Sequence, residues 1–194
     1  MIRRKKQEVT YAFIDSQNLN LGTQRMGWKM DWRKFRQHLQ KEHGVTHAYM
    51  FIGYMADNES LYEYMHELGF LVVLKPTVDV TVNAEGKQVD KSKPPAEGDK
   101  TAIKGNVDAE LVLYAMKEMP NYKKAIIVSG DGDFFSLAEY LEEQGRLSHI
   151  MVPNWQYSTL LKAFEDKIIR LDQMRRQLAY HDRKKPGRRS LRTD

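Results

Sequence analysis

One stretch of the chain decides the fold: Ala125-Ile126-Ile127-Val128-Ser129-Gly130-Asp131-Gly132-Asp133-Phe134. Its first part is a continuous apolar run, which predicts a strand buried on both faces of a sheet. Two acidic residues separated by one glycine follow at once, and a segment with helical spacing then runs over residues 134–144 until Gly145 ends it. A buried strand, a tight turn and a helix in this order are typical of a parallel α/β sheet.

The rest of the chain alternates in the same way. Further strands are predicted at residues 9–14, 47–55, 70–74, 149–152 and, as a short edge strand, 167–171, with a hairpin beginning at 77–82 and crossing 83–86. Helices are predicted at 32–43, 59–68, 107–119 and 158–165, whereas a polar loop is expected after the first strand. The predicted fold class is therefore α/β, a three-layer Rossmann-like fold with a central mostly parallel sheet of about five to six strands.

The charge is concentrated at the two ends of the chain. We expect a basic N-terminal arm (1–8), one domain (9–175) with a long loop or hairpin insertion at 83–104, and a basic, disordered C-terminal tail (176–194). Residues 183–194 carry six basic side chains and one acidic one, while the chain as a whole has a formal net charge of +5. Such arms either contact phosphates without reading base sequence or are solvated tails that aid solubility, and the tail alone does not distinguish the two.

Composition excludes several classes of protein. The chain has no cysteine, so disulfides and thiolate metal sites are excluded, and a reducing, cytoplasmic location is expected. No apolar run reaches the roughly 20 residues that a membrane span needs, so no membrane association is expected. The six histidines have no zinc-binding spacing, and no phosphate-binding loop of the nucleotide triphosphatase type is present. Assembly into a homo-oligomer stays open.

Four aspartates lie where predicted strands end or helices begin. Asp15 ends the first strand, Asp108 lies in the first turn of a helix, and Asp131 and Asp133 follow the decisive strand. Each has a local explanation as a turn residue, as a helix cap (for Asp133) or as a partner of the helix dipole. Gly130 and Gly132 are expected to supply the backbone freedom of the turn between the acids.

Taken together, the four aspartates indicate a metal site. The carboxyl ends of parallel strands meet at one edge of a sheet, where ligands bind. Clustered carboxylates repel one another and do not all stay ionised without a cation. Oxygen ligands without histidine or cysteine select Mg²⁺ or Mn²⁺, and such an ion activates water and neutralises charge on a phosphodiester.

The three acidic segments resemble those of the NYN family, a branch of the PIN-like ribonuclease superfamily. The matching stretches are residues 13–19 (Phe13-Ile14-Asp15-Ser16-Gln17-Asn18-Leu19), 104–108 (Lys104-Gly105-Asn106-Val107-Asp108) and 128–134, and the resemblance covers roughly residues 9–172. It implies metal-dependent cleavage of RNA by a PIN-like fold. It also implies the roles of individual residues: catalytic metal ligands at Asp15, Asp108, Asp131 and Asp133, with Asp133 also suited to position the attacking water, and substrate contacts from Asn18, Lys104 and Ser129.

Two other functions compete with this one. A non-catalytic RNA-binding or protein-interaction module of the same fold would keep the acids for structural reasons. A phosphatase of the haloacid-dehalogenase type also uses two aspartates after a strand, but normally after the first strand and not a late one.

Four aromatic residues lie near the predicted edge. Trp28 and Trp32 are expected to cover the core, with stacking on a nucleobase as the alternative. Trp155 and Tyr157 follow the fifth strand and are candidates to line a substrate groove.

Overall fold

The computed structural model describes residues 8–75, 78–82, 100–104 and 107–181. Of residues 56, 78–82 and 100–104 it describes the backbone only. Its strands are β1 (Thr10–Asp15), β2 (Val45–Gly53), β3 (Leu71–Lys75), β4 (Val78–Val82), β5 (Lys100–Lys104), β6 (Lys124–Val128), β7 (Leu147–Val152) and β8 (Ile168–Arg170). Its α-helices are α1 (Ser16–Arg25), α2 (Trp32–His43), α3 (Glu59–Glu67), α4 (Asp108–Lys117), α5 (Phe135–Glu143) and α6 (Arg175–Leu178).

Six parallel strands form the central sheet, in the order β3-β2-β1-β6-β7-β8. This confirms the predicted α/β class and the number of strands. From β1 the chain steps outward to β2 and β3 on one side, and from β6 it steps outward to β7 and β8 on the other. The direction of winding therefore reverses between β1 and β6, and the carboxyl ends of these two neighbours mark the point where doubly wound sheets bind ligands.

The sheet separates two apolar cores because successive side chains of a strand point to opposite faces. Tyr11 and Phe13 of β1 pack with residues of α4 and α5 on one face. Ala12 and Ile14 pack with residues of α1, α2 and α6 on the other face. Both faces are covered, which explains why β1 and β6 read as continuous apolar runs.

A helix follows β1 where a polar loop was expected, so that prediction is wrong. Asp15 caps helix α1, because its Oδ1 accepts a hydrogen bond from the backbone N–H of Asn18 (3.0 Å). Gly22 lies inside the helix, and a Cβ there would approach Cγ of Pro153 to 2.4 Å. A polar sequence with an internal glycine has low intrinsic helicity, but the cap and the contact with Pro153 stabilise the helix.

A helix capped by Ser158 follows that residue as predicted, and its turns are those of a 3₁₀ helix (Thr159–Lys167) with a kink at Phe164. Two smaller expectations are corrected. Strand β4 pairs antiparallel with β5, so the predicted hairpin partner is not the segment directly after residue 86, and residues 83–99 lie outside the described residues. The predicted tail at 176–194 begins too early, because Leu178 and Ala179 are buried and Ala179 forms a β-bridge with Met30.

Among the residues that the structure describes, no helix has the length and apolar character needed to cross a bilayer.

Candidate metal centre

The predicted acids lie at the topological switch point of the sheet. Asp15 is the last residue of β1, and Asp131 and Asp133 lie in the short segment that joins β6 to α5. Asp108 is the first residue of α4, which packs against β1. Three separate parts of the chain therefore bring acidic side chains to one edge.

Three of the four carboxylates converge. One oxygen from each of Asp108, Asp131 and Asp133 lies within 4.8 Å of the others, and we call these three residues the acidic cluster. Asp108 and Asp131 are half-buried, whereas Asp133 is exposed. Oxygen atoms at this separation repel when ionised, and they are the ligand type that hard divalent cations prefer.

Asp15 lies outside the acidic cluster but is electrostatically coupled to it. Its side chain is only 5% exposed. Its Oδ2 accepts a hydrogen bond from Oγ of Ser129 (3.1 Å), and its Oδ1 accepts the one from the Asn18 N–H (3.0 Å). Burial raises the pKa of Asp15, and the charges of Asp108 and Asp131 raise it further, while the two hydrogen bonds lower it.

A chain of hydrogen bonds fixes the turn after β6 against β1. Asn18 Oδ1 accepts from the backbone N–H of Gly130 (2.9 Å), and Ser129 Oγ accepts from the N–H of Asp131 (3.2 Å). Asp131 Oδ1 in turn accepts from the N–H of Asp133 (3.1 Å). Asn18 and Ser129 thus support the acids through the protein itself, and their contacts with substrate stay predictions.

The glycines of this turn serve close packing and not an unusual backbone conformation. Neither Gly130 nor Gly132 has a positive φ, so the expectation of special backbone freedom is wrong. A Cβ on Gly132 would lie 2.4 Å from Oγ of Ser158, and one on Gly130 would lie 3.2 Å from Cβ of Tyr157. The missing side chains let the segment after β7 approach the acids.

The capping role expected of Asp133 belongs to Asp131. Asp131 is the N-cap of the 3₁₀ turn Gly132–Phe134, while α5 begins without a side-chain cap. The backbone of Lys104 ends β5, but its side chain, together with Gly105 and Asn106, lies outside the described residues, so its role as a substrate contact stays a prediction.

Some residues near the acids were not anticipated. Leu21, Arg25 and Gln156 line a hollow of about 100 Å³ that Asn18 and Gly130 border. The position of Arg25 beside Asn18 was not predicted, because its segment was expected to be a loop. Of the tryptophans, Trp28 is buried in the core as expected.

The sequence matches the NYN domain over residues 10–172, which is most of the chain. The protein belongs to the NYN domain family. This confirms the family that the three acidic segments indicated, and NYN proteins have a nuclease-like fold of the PIN type.

The NYN chain is also similar to two other proteins. It is 23% identical to the low amplitude and bright protein LabA of Synechococcus elongatus over 176 residues, which are 90% of this chain and 89% of that protein. Its fold matches the crystal structure of a protein of unknown function from Vibrio parahaemolyticus, with a TM-score of 0.64 and 20% identity, over 91% of this chain and 99% of the other.

Proposed function

We propose that this NYN protein is a metal-dependent ribonuclease that hydrolyses RNA phosphodiester bonds at the acidic cluster, with Mg²⁺ or Mn²⁺ as cofactor. The observation that carries the proposal is the convergence of Asp108, Asp131 and Asp133 at the carboxyl edge of β1 and β6. Membership of a family with a nuclease-like fold supports it.

The donor set fits a hard divalent ion. The acidic cluster offers carboxylate oxygens alone, and it adjoins a fourth aspartate, Asp15, whose pKa is raised by burial and by its acidic neighbours. Mg²⁺ and Mn²⁺ are the ions that such oxygens select. A bound divalent ion would relieve the repulsion, lower the pKa of a coordinated water and neutralise charge on the scissile phosphate.

We assign the four aspartates different catalytic roles according to their burial. Asp108 and Asp131, which are half-buried, are assigned as ligands held in place by α4 and by the turn after β6. Asp15 is assigned as a further ligand, direct or through water, that also fixes Ser129. Asp133 is exposed, so its carboxylate can reach solvent and orient the attacking water, accepting its proton.

Substrate contacts follow from the same edge. Asn18 and Ser129 border the acids and are assigned to support the scissile phosphate, as is Lys104. Arg25 lines the hollow that Asn18 and Gly130 border. A guanidinium there can bind a neighbouring phosphate of the strand.

Cleavage of end-labelled RNA by the purified full chain tests the proposal. We expect cleavage with Mn²⁺ or Mg²⁺, none in EDTA, and a loss of at least about a hundredfold in Asp108→Asn, as is usual when a group acting on transition-state charge is removed. Asp166→Asn is the matched control, because Asp166 is 78% exposed and lies outside the acidic cluster.

RNA binding measured in EDTA separates the proposal from its main alternative. If RNA binds but no metal supports cleavage, the chain is an RNA-binding module of the same fold and the proposal fails. Cleavage that persists undiminished in Asp108→Asn contradicts the assigned site.

A further inference from the structure

A cleft of about 420 Å³ lies on the other face of the sheet from the acidic cluster. Its floor is made by Met50 and Met65, which are 0% and 2% exposed. Ile52 and the half-buried ring of Trp32 also line it, and Leu61 lies at its exposed rim. The volume lies within the range of roughly 300–1,000 Å³ that is usual for small-molecule sites. We call this the apolar cleft.

The walls of the apolar cleft are held in place. The Trp32 ring packs edge-on against Phe35 and Phe70, with ring centroids 6.3 and 6.4 Å apart. The turn after β2 is fixed by the hydroxyl of Tyr62, which accepts a hydrogen bond from the N–H of Met55 (2.8 Å). The cleft is therefore preformed, so that a ligand has little ordering to impose.

Hydrogen-bonding groups lie at one end of the apolar cleft. Ser16, Gln17 and Asn20, from the first turns of α1, line it there. Ser16 Oγ donates to the carbonyl of Phe51 (2.8 Å) and keeps acceptor capacity. Asn20 Oδ1 accepts from Gln24 (3.1 Å), and its amide N–H groups add donor capacity at this end.

The lining selects a flat, neutral ring. No charged residue lines the cleft among the described residues, which disfavours a phosphate or a charged side chain as its occupant. An indole ring and thioether sulfurs favour an aromatic partner. Amide and hydroxyl groups at one end can read the polar edge of a heterocycle. A nucleobase combines these properties.

The apolar cleft reaches the carboxyl edge of the sheet, where the acids lie. Asp15 has the strand parity of Tyr11 and Phe13 and so points to the face that α4 covers. Ser16, the next residue and the first of α1, lines the cleft, as does Gly53 at the carboxyl end of the adjacent β2. An RNA strand that crosses this edge can place a phosphate at the acids and a base in the cleft.

We propose that the apolar cleft binds a nucleobase of the RNA strand whose phosphate lies at the acidic cluster. The inference that the bound base belongs to such an RNA strand rests on the proposed ribonuclease function. The cleft then favours unpaired RNA, because a base must leave its stack to enter it.

NMR of the full chain in EDTA tests the cleft, with the methionine methyl groups and the tryptophan indoles labelled. Adenosine, guanosine, cytidine and uridine are the first probes, and a short single-stranded oligonucleotide and its abasic counterpart are the second. We expect at least one nucleoside to shift Met50, Met65 and Trp32 while Met119, which packs on the other face, stays unmoved. The oligonucleotide should bind more tightly than a free nucleoside.

Two variants on α3 provide a matched pair. Leu61 and Tyr64 are both 39% exposed, but only Leu61 lines the cleft. Leu61→Trp fills the cleft and should weaken nucleoside and oligonucleotide binding about tenfold or more, and raise KM for RNA, whereas Tyr64→Trp should leave both within about twofold.

The outcomes separate the cleft from the nuclease. If RNA is cleaved but no nucleoside shifts these signals at millimolar concentration, or if both variants weaken binding equally, the cleft inference fails and the ribonuclease stands. If nucleosides bind as expected but no metal supports cleavage, the cleft stands and the ribonuclease fails. Equal affinity for a free nucleoside and the oligonucleotide would overturn the inference that the bound base belongs to an RNA strand.

Discussion

The surroundings of Asp15 oppose its negative charge. It is buried, and two other carboxylates act on it, so its pKa is raised even though Ser129 and Asn18 donate hydrogen bonds to it. A carboxylate kept in such a place lowers the stability of the metal-free protein at neutral pH. This is the arrangement expected of a site built for a ligand and not for stability alone.

We therefore expect Asp15→Asn to stabilise the metal-free protein. Because the folded state holds the proton of Asp15 more tightly than the unfolded state, ionisation above the raised pKa reduces stability. In EDTA at pH 7, removal of this charge should raise the Tm by about 2–4 °C, the shift that about 1 kcal/mol produces in a chain of this size. Thermal unfolding followed by circular dichroism measures it.

The higher Tm of Asp15→Asn should disappear at low pH, where Asp15 is protonated in both the folded and the unfolded state. A lower Tm for Asp15→Asn at pH 7 would show that the hydrogen bonds outweigh burial and repulsion.

Residue types at the site were predictable from the sequence, but their contacts were not. The four aspartates could be chosen because they follow predicted strands or begin a helix. The approach of Ser158 to Gly132 depends on where a distant segment packs, and no local pattern encodes this. Asp133 is more exposed than Asp108 and Asp131, and this difference also depends on how the carboxyl edge of the sheet folds.

At the scale of elements, three histidines join α2 to β7. The ring of His43 lies 5.1 Å from that of His38 and 5.2 Å from that of His149, measured between centroids. Burial and the two neighbouring imidazoles lower the pKa of His43 to about 4, although Glu42 favours its protonated form. Burial also lowers the pKa values of His38 and His149, and Lys167 lowers that of His149 further.

This cluster predicts acid sensitivity of the α2–β7 contact. Between pH 6.5, the ordinary histidine pKa, and about pH 4, His43 is protonated in the unfolded state but stays neutral in the folded state. Stability contributed by neutral His43 is therefore complete above pH 6.5 and is lost as the pH falls toward 4. Urea unfolding midpoints measured from pH 7.5 to pH 4 should fall, and His43→Gln should flatten that fall.

His66→Gln is the control, because His66 is exposed on α3 and belongs to no such cluster. If the wild type and His43→Gln lose stability equally over this range, the loss comes from other groups and the account of the cluster is wrong.

Helices with clear signals were predicted well, whereas α1 was missed. α2 has both expected ends, because Asp31 accepts from the N–H of Lys34 and Gly44 adopts a left-handed conformation. α1 lacks an apolar face of similar strength, and the side of Gly22 is filled by Pro153. Besides its cap at Asp15, its stability comes from tertiary contacts, which local sequence does not record.

At the scale of the whole molecule, the parallel sheet and its switch point explain why scattered acids form one site. The alternation of apolar strands and helices was sufficient to predict the α/β class, and the family resemblance identified the PIN-like form. The sequence did not determine which strands are neighbours. The pairing of β1 with β6 places Asp15 beside Ser129, although these residues are far apart in the chain.

The uneven charge of the chain predicts a strongly salt-dependent affinity for RNA. Residues 183–194 carry six basic side chains, while the folded body is slightly acidic. Each RNA phosphate that the tail neutralises should add about 0.7 to the slope of log K against log salt for single strands. Deletion of residues 183–194 should therefore flatten the salt dependence measured by fluorescence anisotropy in EDTA. An unchanged slope would show that the tail is only a solvated extension.

A Mn²⁺ titration of the wild type and of Asp131→Asn, followed by calorimetry, tests the central claim most directly. Asn keeps the shape of the side chain and its cap on the following turn, so the change removes mainly the charge. We expect saturable Mn²⁺ binding to the wild type and to Asp166→Asn, and at least about tenfold weaker binding to Asp131→Asn, which corresponds to about 1.4 kcal/mol. Equal Mn²⁺ affinity in the wild type and Asp131→Asn would contradict the assignment of the acidic cluster as the metal centre.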